Sequence, residues 1–179
     1  MQLSTLFFSF ALAGTSFALV VPRQLEVSSI FGTITSAVDT LEGTINNITS
    51  TVGGDITTEI NAVETDLNNV VTAVQSATTA IEGAGTLAIT DALALVSDAT
   101  TLVSEVTQVV NGLVANSGVL STAGATSAIC NTTSTLETSV ESLVDSVTGI
   151  LPLGLGGVVT NLLNSVNGLL GTGLGALGC

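Results

Sequence analysis

The chain has 179 residues, with 14 Asp+Glu against one Lys+Arg, no His, Trp or Tyr, and a formal net charge of −13. Without His or Lys there can be no Ser-His-Asp or Cys-His arrangement, no lysine Schiff base and no histidine metal ligand. The one basic side chain, Arg23, cannot neutralise a row of phosphates, so nucleic acid is excluded as a partner, while 46% hydrophobic residues supply the core that acidic disordered chains lack.

In chain order, Leu6 to Ala13 is a short apolar run ending in Gly14-Thr15-Ser16-Phe17-Ala18. This pattern predicts a secretory signal over 1–18, cut after Ala18, although its n-region lacks a Lys or Arg. The run is too short to anchor in a bilayer, so the mature chain is expected to carry no transmembrane segment. Residues 19–26 form a leader, and a bundle is expected over 27–151.

From Val27, the positions Phe31, Ile34, Val38, Leu41, Ile45, Ile48 and Val52 step by four and three, a heptad seam. Gly53-Gly54 breaks it, and Asp55 is placed to cap the next helix. Ile56, Ile60, Val63, Leu67, Val70, Val74, Ala77 and Ile81 repeat the rule up to Gly83-Ala84-Gly85. A third run takes Ala92, Val96, Ala99, Val103, Val106, Val110 and Leu113 and stops near Asn116-Ser117-Gly118. After a Ser/Thr/Gly-rich connection, Ser134-Thr135-Leu136-Glu137 resembles a capping box opening a fourth run, Leu136, Val140, Leu143, Val147 and Ile150, which Pro152 closes. Val, Ile and Thr favour strands, yet nothing here alternates with period two and the runs far exceed strand length. Helices are therefore predicted: an all-α, antiparallel up-down bundle of four to five amphipathic helices. Their backs carry Ser, Thr and Asn, leaving surface ion pairs no part to play.

Residues 152–179 are read as a Gly/Leu-rich tail, with Leu162, Leu163, Val166, Leu169 and Leu170 at helical spacing. Its asparagines and glycines interrupt the unbroken apolar terminus that a lipid-anchor signal needs. Cys130 and Cys179 in a secreted chain favour one disulfide over two free thiols, tethering the tail. Asn47-Ile48-Thr49 and Asn131-Thr132-Thr133 are N-glycosylation sequons.

Only carboxylates remain as catalytic candidates. Glu137, Glu141 and Asp145 share one helical face, but a mature chain without Trp or Tyr has no stacking platform for sugars, so a solvated face is the better reading. No stretch matches a calcium loop, and Gly154-Leu155-Gly156-Gly157 lacks the Lys-Ser/Thr of a phosphate cradle. No catalytic residue, metal or cofactor is expected. What remains is apolar surface: Phe31, Ile34, Val38, Leu41, Ile45, Ile60, Val63, Leu67 and Val74, with the tail leucines and Val166, are the candidate contacts with hydrocarbon.

The signal followed by Val20-Val21-Pro22-Arg23, the paired seams with their glycine break, and the stretch from Leu113 through Gly124 to Pro152 resemble the fungal hydrophobic surface-binding protein A family, which includes cell-wall galactomannoproteins. The resemblance implies a secreted, non-enzymatic, helical protein that adsorbs to hydrophobic surfaces. In some relatives it implies fatty-acid binding within the bundle, and in some recruitment of a secreted esterase. The chain departs from the pattern in lacking lysines, in Cys130 and Cys179, and in the glycine-leucine tail. The expectation is a glycosylated, extracellular or cell-wall protein adsorbing through its seams and tail, with a fatty-acid carrier as the alternative.

Overall fold

A computed structural model describes residues 27–50, 56–82, 84–152 and 154–179. The expected signal, the leader with Arg23 and the Asp55 cap lie outside the described residues. Those described form α1 (Val27–Ser50), α2 (Thr57–Glu82), α3 (Ile89–Ala115), α4 (Ser117–Thr122), α5 (Thr126–Ile150) and α6 (Gly156–Leu177), with no strand among them.

The five long helices close into a ring in the order α1, α2, α5, α6, α3 and back to α1. Consecutive helices in the chain alternate in direction, as an up-down bundle should, but ring neighbours do not all do so. Thr44 donates to Asp66 across the antiparallel α1·α2 seam. Ile45 on α1 lies against Gly112 on α3, and Gly173 on α6 against Val110, so α1, α3 and α6 run the same way. The Leu87 amide donates to the Ile150 carbonyl at 2.8 Å, joining the start of α3 to the end of α5 at one end of the ring. The α2–α3 connection therefore passes an end of the bundle, and α4 spans the other end so that α6 can enter between α3 and α5.

Close parallel packing is bought with glycine at two places. An added Cβ on Gly112 would stand 2.7 Å from Ile45 Cγ2, and one on Gly173 3.1 Å from Val110 Cγ1. The core is aliphatic apart from the fully buried Phe31. α3 is long and apolar enough to cross a membrane by length and composition, but Ala92, Leu95, Ala99, Leu102, Val106, Val109, Val110 and Leu113 are buried in the bundle.

Three expectations need correction. In α3, Leu95 and Leu102 take the core positions, and Val96 and Val103 are only half-buried. The fourth run begins at Thr126, so Ser134-Thr135-Leu136-Glu137 lies inside α5 and caps nothing. Residues 152–179 are no appendage: α6 occupies most of them and forms one wall of the ring. Val159, Leu163, Val166, Leu170 and Gly173 supply its buried stripe, which outweighs the entropic cost of helical glycine.

Candidate functional site

The inner faces of all five long helices converge on a small enclosed cavity of about 20 Å³. Its walls are Val38 and Leu41 from α1, Leu67 and Val70 from α2, and Val106, Val109, Val110 and Leu113 from α3. Thr133 and Leu136 come from α5, and Leu170, Gly173 and Leu177 from α6. A space of this size holds about one water, which would find too few polar partners to stay. The cavity is small and walled by apolar groups, and a long acyl chain enters only if the helices part.

Of the residues singled out in the sequence, Val38, Leu41, Leu67 and Leu170 meet here. Phe31, Ile34, Ile45, Ile60, Val63, Val74, Leu163 and Val166 are buried elsewhere in the same core, while Leu162 and Leu169 are half-buried against it. The α3 and α5 walls were missed as site residues, although Val106, Val110, Leu113 and Leu136 belong to the periodic runs. Val109 is displaced by one position from the run as read, Leu177 continues the spacing of the tail beyond Leu170, and Thr133 and Gly173 stand at seam positions without an aliphatic side chain to mark them. Cys130 and Cys179 form a disulfide, with Cα atoms 5.7 Å apart, that ties the end of α6 to the first turns of α5 beside the cavity. Asn47 and Asn131 are both exposed, at the end of the ring where that disulfide lies.

Two open grooves of about 560 and 600 Å³ run outside the ring, over α2·α5 and α1·α2. Both are lined with hydroxyls, but many of these are spent on their own helix: Thr33, Thr40, Thr72, Thr79, Thr135 and Thr138 each donate to the carbonyl four residues back. That habit explains how so many threonines sit in helices.

Glu141 accepts a hydrogen bond from Asn167 Nδ2 at 3.3 Å, and both it and Asp145 are exposed. The perturbed carboxyl is Glu105, on the α1·α3 seam. Burial, then the charges of Asp39 and Glu42, push it up from 4.5 to about 7, against a hydrogen bond from Thr35 that pulls it down. One of its oxygens is buried without a partner. Burial also raises Asp98, two turns earlier on α3.

Residues 26–149 match the family model for hydrophobic surface binding protein A. The chain belongs to that family. No curated protein matches it. Among solved structures, ligand binding domain 1 of the Penicillium marneffei MP1 protein, complexed with arachidonic acids, is 22% identical; the match covers 87% of this chain and 99% of that one with a TM-score of 0.76. Domain 2 of the same protein, with multiple arachidonic acids, matches at 21% identity over 88% and 97% with a TM-score of 0.77. AFMP4P in complex with palmitic acid is 14% identical, covering 84% and 97%, also at 0.77. The likenesses establish the ring of helices as a shared fold, and family membership sets the chain among proteins that bind hydrophobic surfaces.

Proposed function

We propose that this is a secreted, non-catalytic protein that binds hydrocarbon by turning its aliphatic seams toward it, adsorbing to hydrophobic surfaces of a fungal wall or substrate. The observation that carries the reading is the construction of the interior: five amphipathic helices bring aliphatic side chains to one apolar centre, with one aromatic among its buried residues. A Val, Leu or Ile moved from water to hydrocarbon gains about 1.5–3 kcal/mol, so six to eight side chains of one seam suffice for durable adsorption. The amino-terminal apolar run supports secretion, and the two sequons support glycosylation at Asn47 and Asn131. Recruitment of an esterase draws no support from the site.

A second reading, an acyl chain held between the helices, is favoured by the central cavity and by the arachidonic and palmitic acids in the similar structures. Both readings need the same parting of helices and differ in whether the hydrocarbon is a surface or a molecule. Depletion from solution by wax or polystyrene beads, undiminished at high salt because no ion pair is involved, tests the first. Release by salt would refute it. Native mass spectrometry after incubation with a long-chain lipid tests the second, and a protein that remains empty refutes it.

A further inference from the structure

We propose that the central cavity selects lipids whose head group offers an oxygen but carries no charge, and that Thr133 is the positioning residue for that oxygen. The inference rests on the acyl-binding reading above. Four polar side chains are buried among the described residues: Thr78, Asn116, Thr133 and Ser139. Thr78 donates to the Val74 carbonyl, Asn116 to that of Gly112 and Ser139 to that of Thr135. Thr133, 3% exposed, is different, because its Oγ1 is buried with no hydrogen-bond partner. Buried hydroxyls normally find one, and a valine would fill the same space without the penalty of an orphaned donor.

Thr133 is also the only side chain lining the cavity that has a polar atom. Threonine in a helix divides between two rotamers, so rotation about Cα–Cβ turns the hydroxyl into the cavity once the helices part. There it can donate to a carbonyl or hydroxyl oxygen, with the hydrocarbon running on toward Leu41, Leu67 and Val106. A carboxylate in the same place would be stranded. No cation lines the cavity, and the single basic side chain of the whole sequence is Arg23. A buried charge met by one hydroxyl costs far more than that hydrogen bond returns. An alcohol, an ester or a protonated acid incurs no such cost.

Thr133 also completes the Asn131-Thr132-Thr133 sequon, which by itself could account for a hydroxyl at this position. The test is therefore made in an Asn131→Gln background, where no variant can be glycosylated there. Hexadecanol, methyl hexadecanoate and hexadecanoate compete against a fluorescent acyl probe on the full mature chain at about pH 8. The expected order has the alcohol and the ester binding about tenfold or more tighter than the carboxylate. Thr133→Val should weaken alcohol and ester by roughly threefold to tenfold, the loss of one neutral hydrogen bond, and leave hexadecanoate unchanged. Thr133→Ser should restore both. The empty Thr133→Val protein should melt no lower than its parent, whereas a packing role for the hydroxyl would lower the midpoint. Hexadecanoate binding as tightly as the alcohol, or an alcohol affinity indifferent to Thr133→Val, overturns the inference and leaves acyl binding intact. Failure of every probe to bind removes the acyl-binding reading itself, and the inference with it.

Discussion

Glu105 makes the stability of the bundle depend on pH with a definite sign. Its carboxyl stands at about 7 in the folded protein against 4.5 in the open chain, first because it is buried and then because Asp39 and Glu42 face it across the α1·α3 seam. Between those values the folded state holds a proton that the unfolded state has lost. The stabilisation is fully present below about 4.5 and is lost as pH rises through about 7. Carried in full, the displacement would be worth about 3 kcal/mol at 1.36 kcal/mol per pH unit. The residue is partly exposed and counter-ions screen its neighbours, so about 1–2 kcal/mol is expected. Glu105→Gln removes the charge and keeps both the shape and an oxygen that can accept from Thr35. It should therefore be about 1–2 kcal/mol more stable than the parent at about pH 8 and equal to it at about pH 4. Urea unfolding followed by circular dichroism measures this, with Glu141→Gln as the exposed control for the general relief of a −13 chain. Equal stability of Glu105→Gln and the parent at alkaline pH would refute the reasoning. So would a Glu105 contribution that weakened on acidification from 7 to 4.5, the behaviour of a carboxylate held by a cation.

Gly112→Ala should cost about 1 kcal/mol net, overpacking against Ile45 exceeding the gain in helix propensity. Gly43→Ala, which meets open space in α1, should gain about 0.5–1 kcal/mol by the same denaturation assay. Cys130→Ser releases a cross-link spanning 49 residues and should lower stability by up to about 4 kcal/mol on the loop-entropy account; it should change adsorption to apolar beads more than it changes helix content. Leu136→Ala, deleting one cavity wall, should cost about 2–5 kcal/mol in the empty protein. Melting with hexadecanol present should recover part of that loss, because hydrocarbon fills the vacated space.

The helices that announced themselves did so through glycine breaks and uninterrupted heptads, as in α1 and α2. Where two apolar residues stand side by side, as Leu95-Val96 and Leu102-Val103 do, period alone cannot say which faces inward. The ring decides it, because α3 must serve both α1 and α6. The start of α5 was hidden for another reason: Ile129 and Thr133 are its only fully buried side chains before Leu136, and the surrounding hydroxyls look like loop chemistry until they are seen bonded back along the helix. In α6, six glycines obscured a stripe that reaches Gly173, where the missing side chain lets α3 approach. Thr133 could not have been found from sequence, since its distinction is the absence of a partner.

Several polar ties between the described helices run along one side of the ring. Thr44–Asp66 joins α1 to α2, Gln75–Ser139 joins α2 to α5, and Thr148–Thr160 with Asn167–Glu141 joins α5 to α6. α3 closes the circle differently. It meets α6 through Val110 against Gly173, and α1 through Ile45 against Gly112 and through the Glu105 carboxyl, which burial and like charge oppose although Thr35 of α1 hydrogen-bonds to it. Aliphatic contact is non-directional, so a hydrocarbon guest can replace what α3 gives α6, whereas it cannot replace a hydrogen bond. The α3·α6 seam is thus the one whose separation a lipid or an apolar surface can best compensate, and it borders the cavity on the side where Val106, Val109, Val110 and Leu113 supply the largest share of its wall.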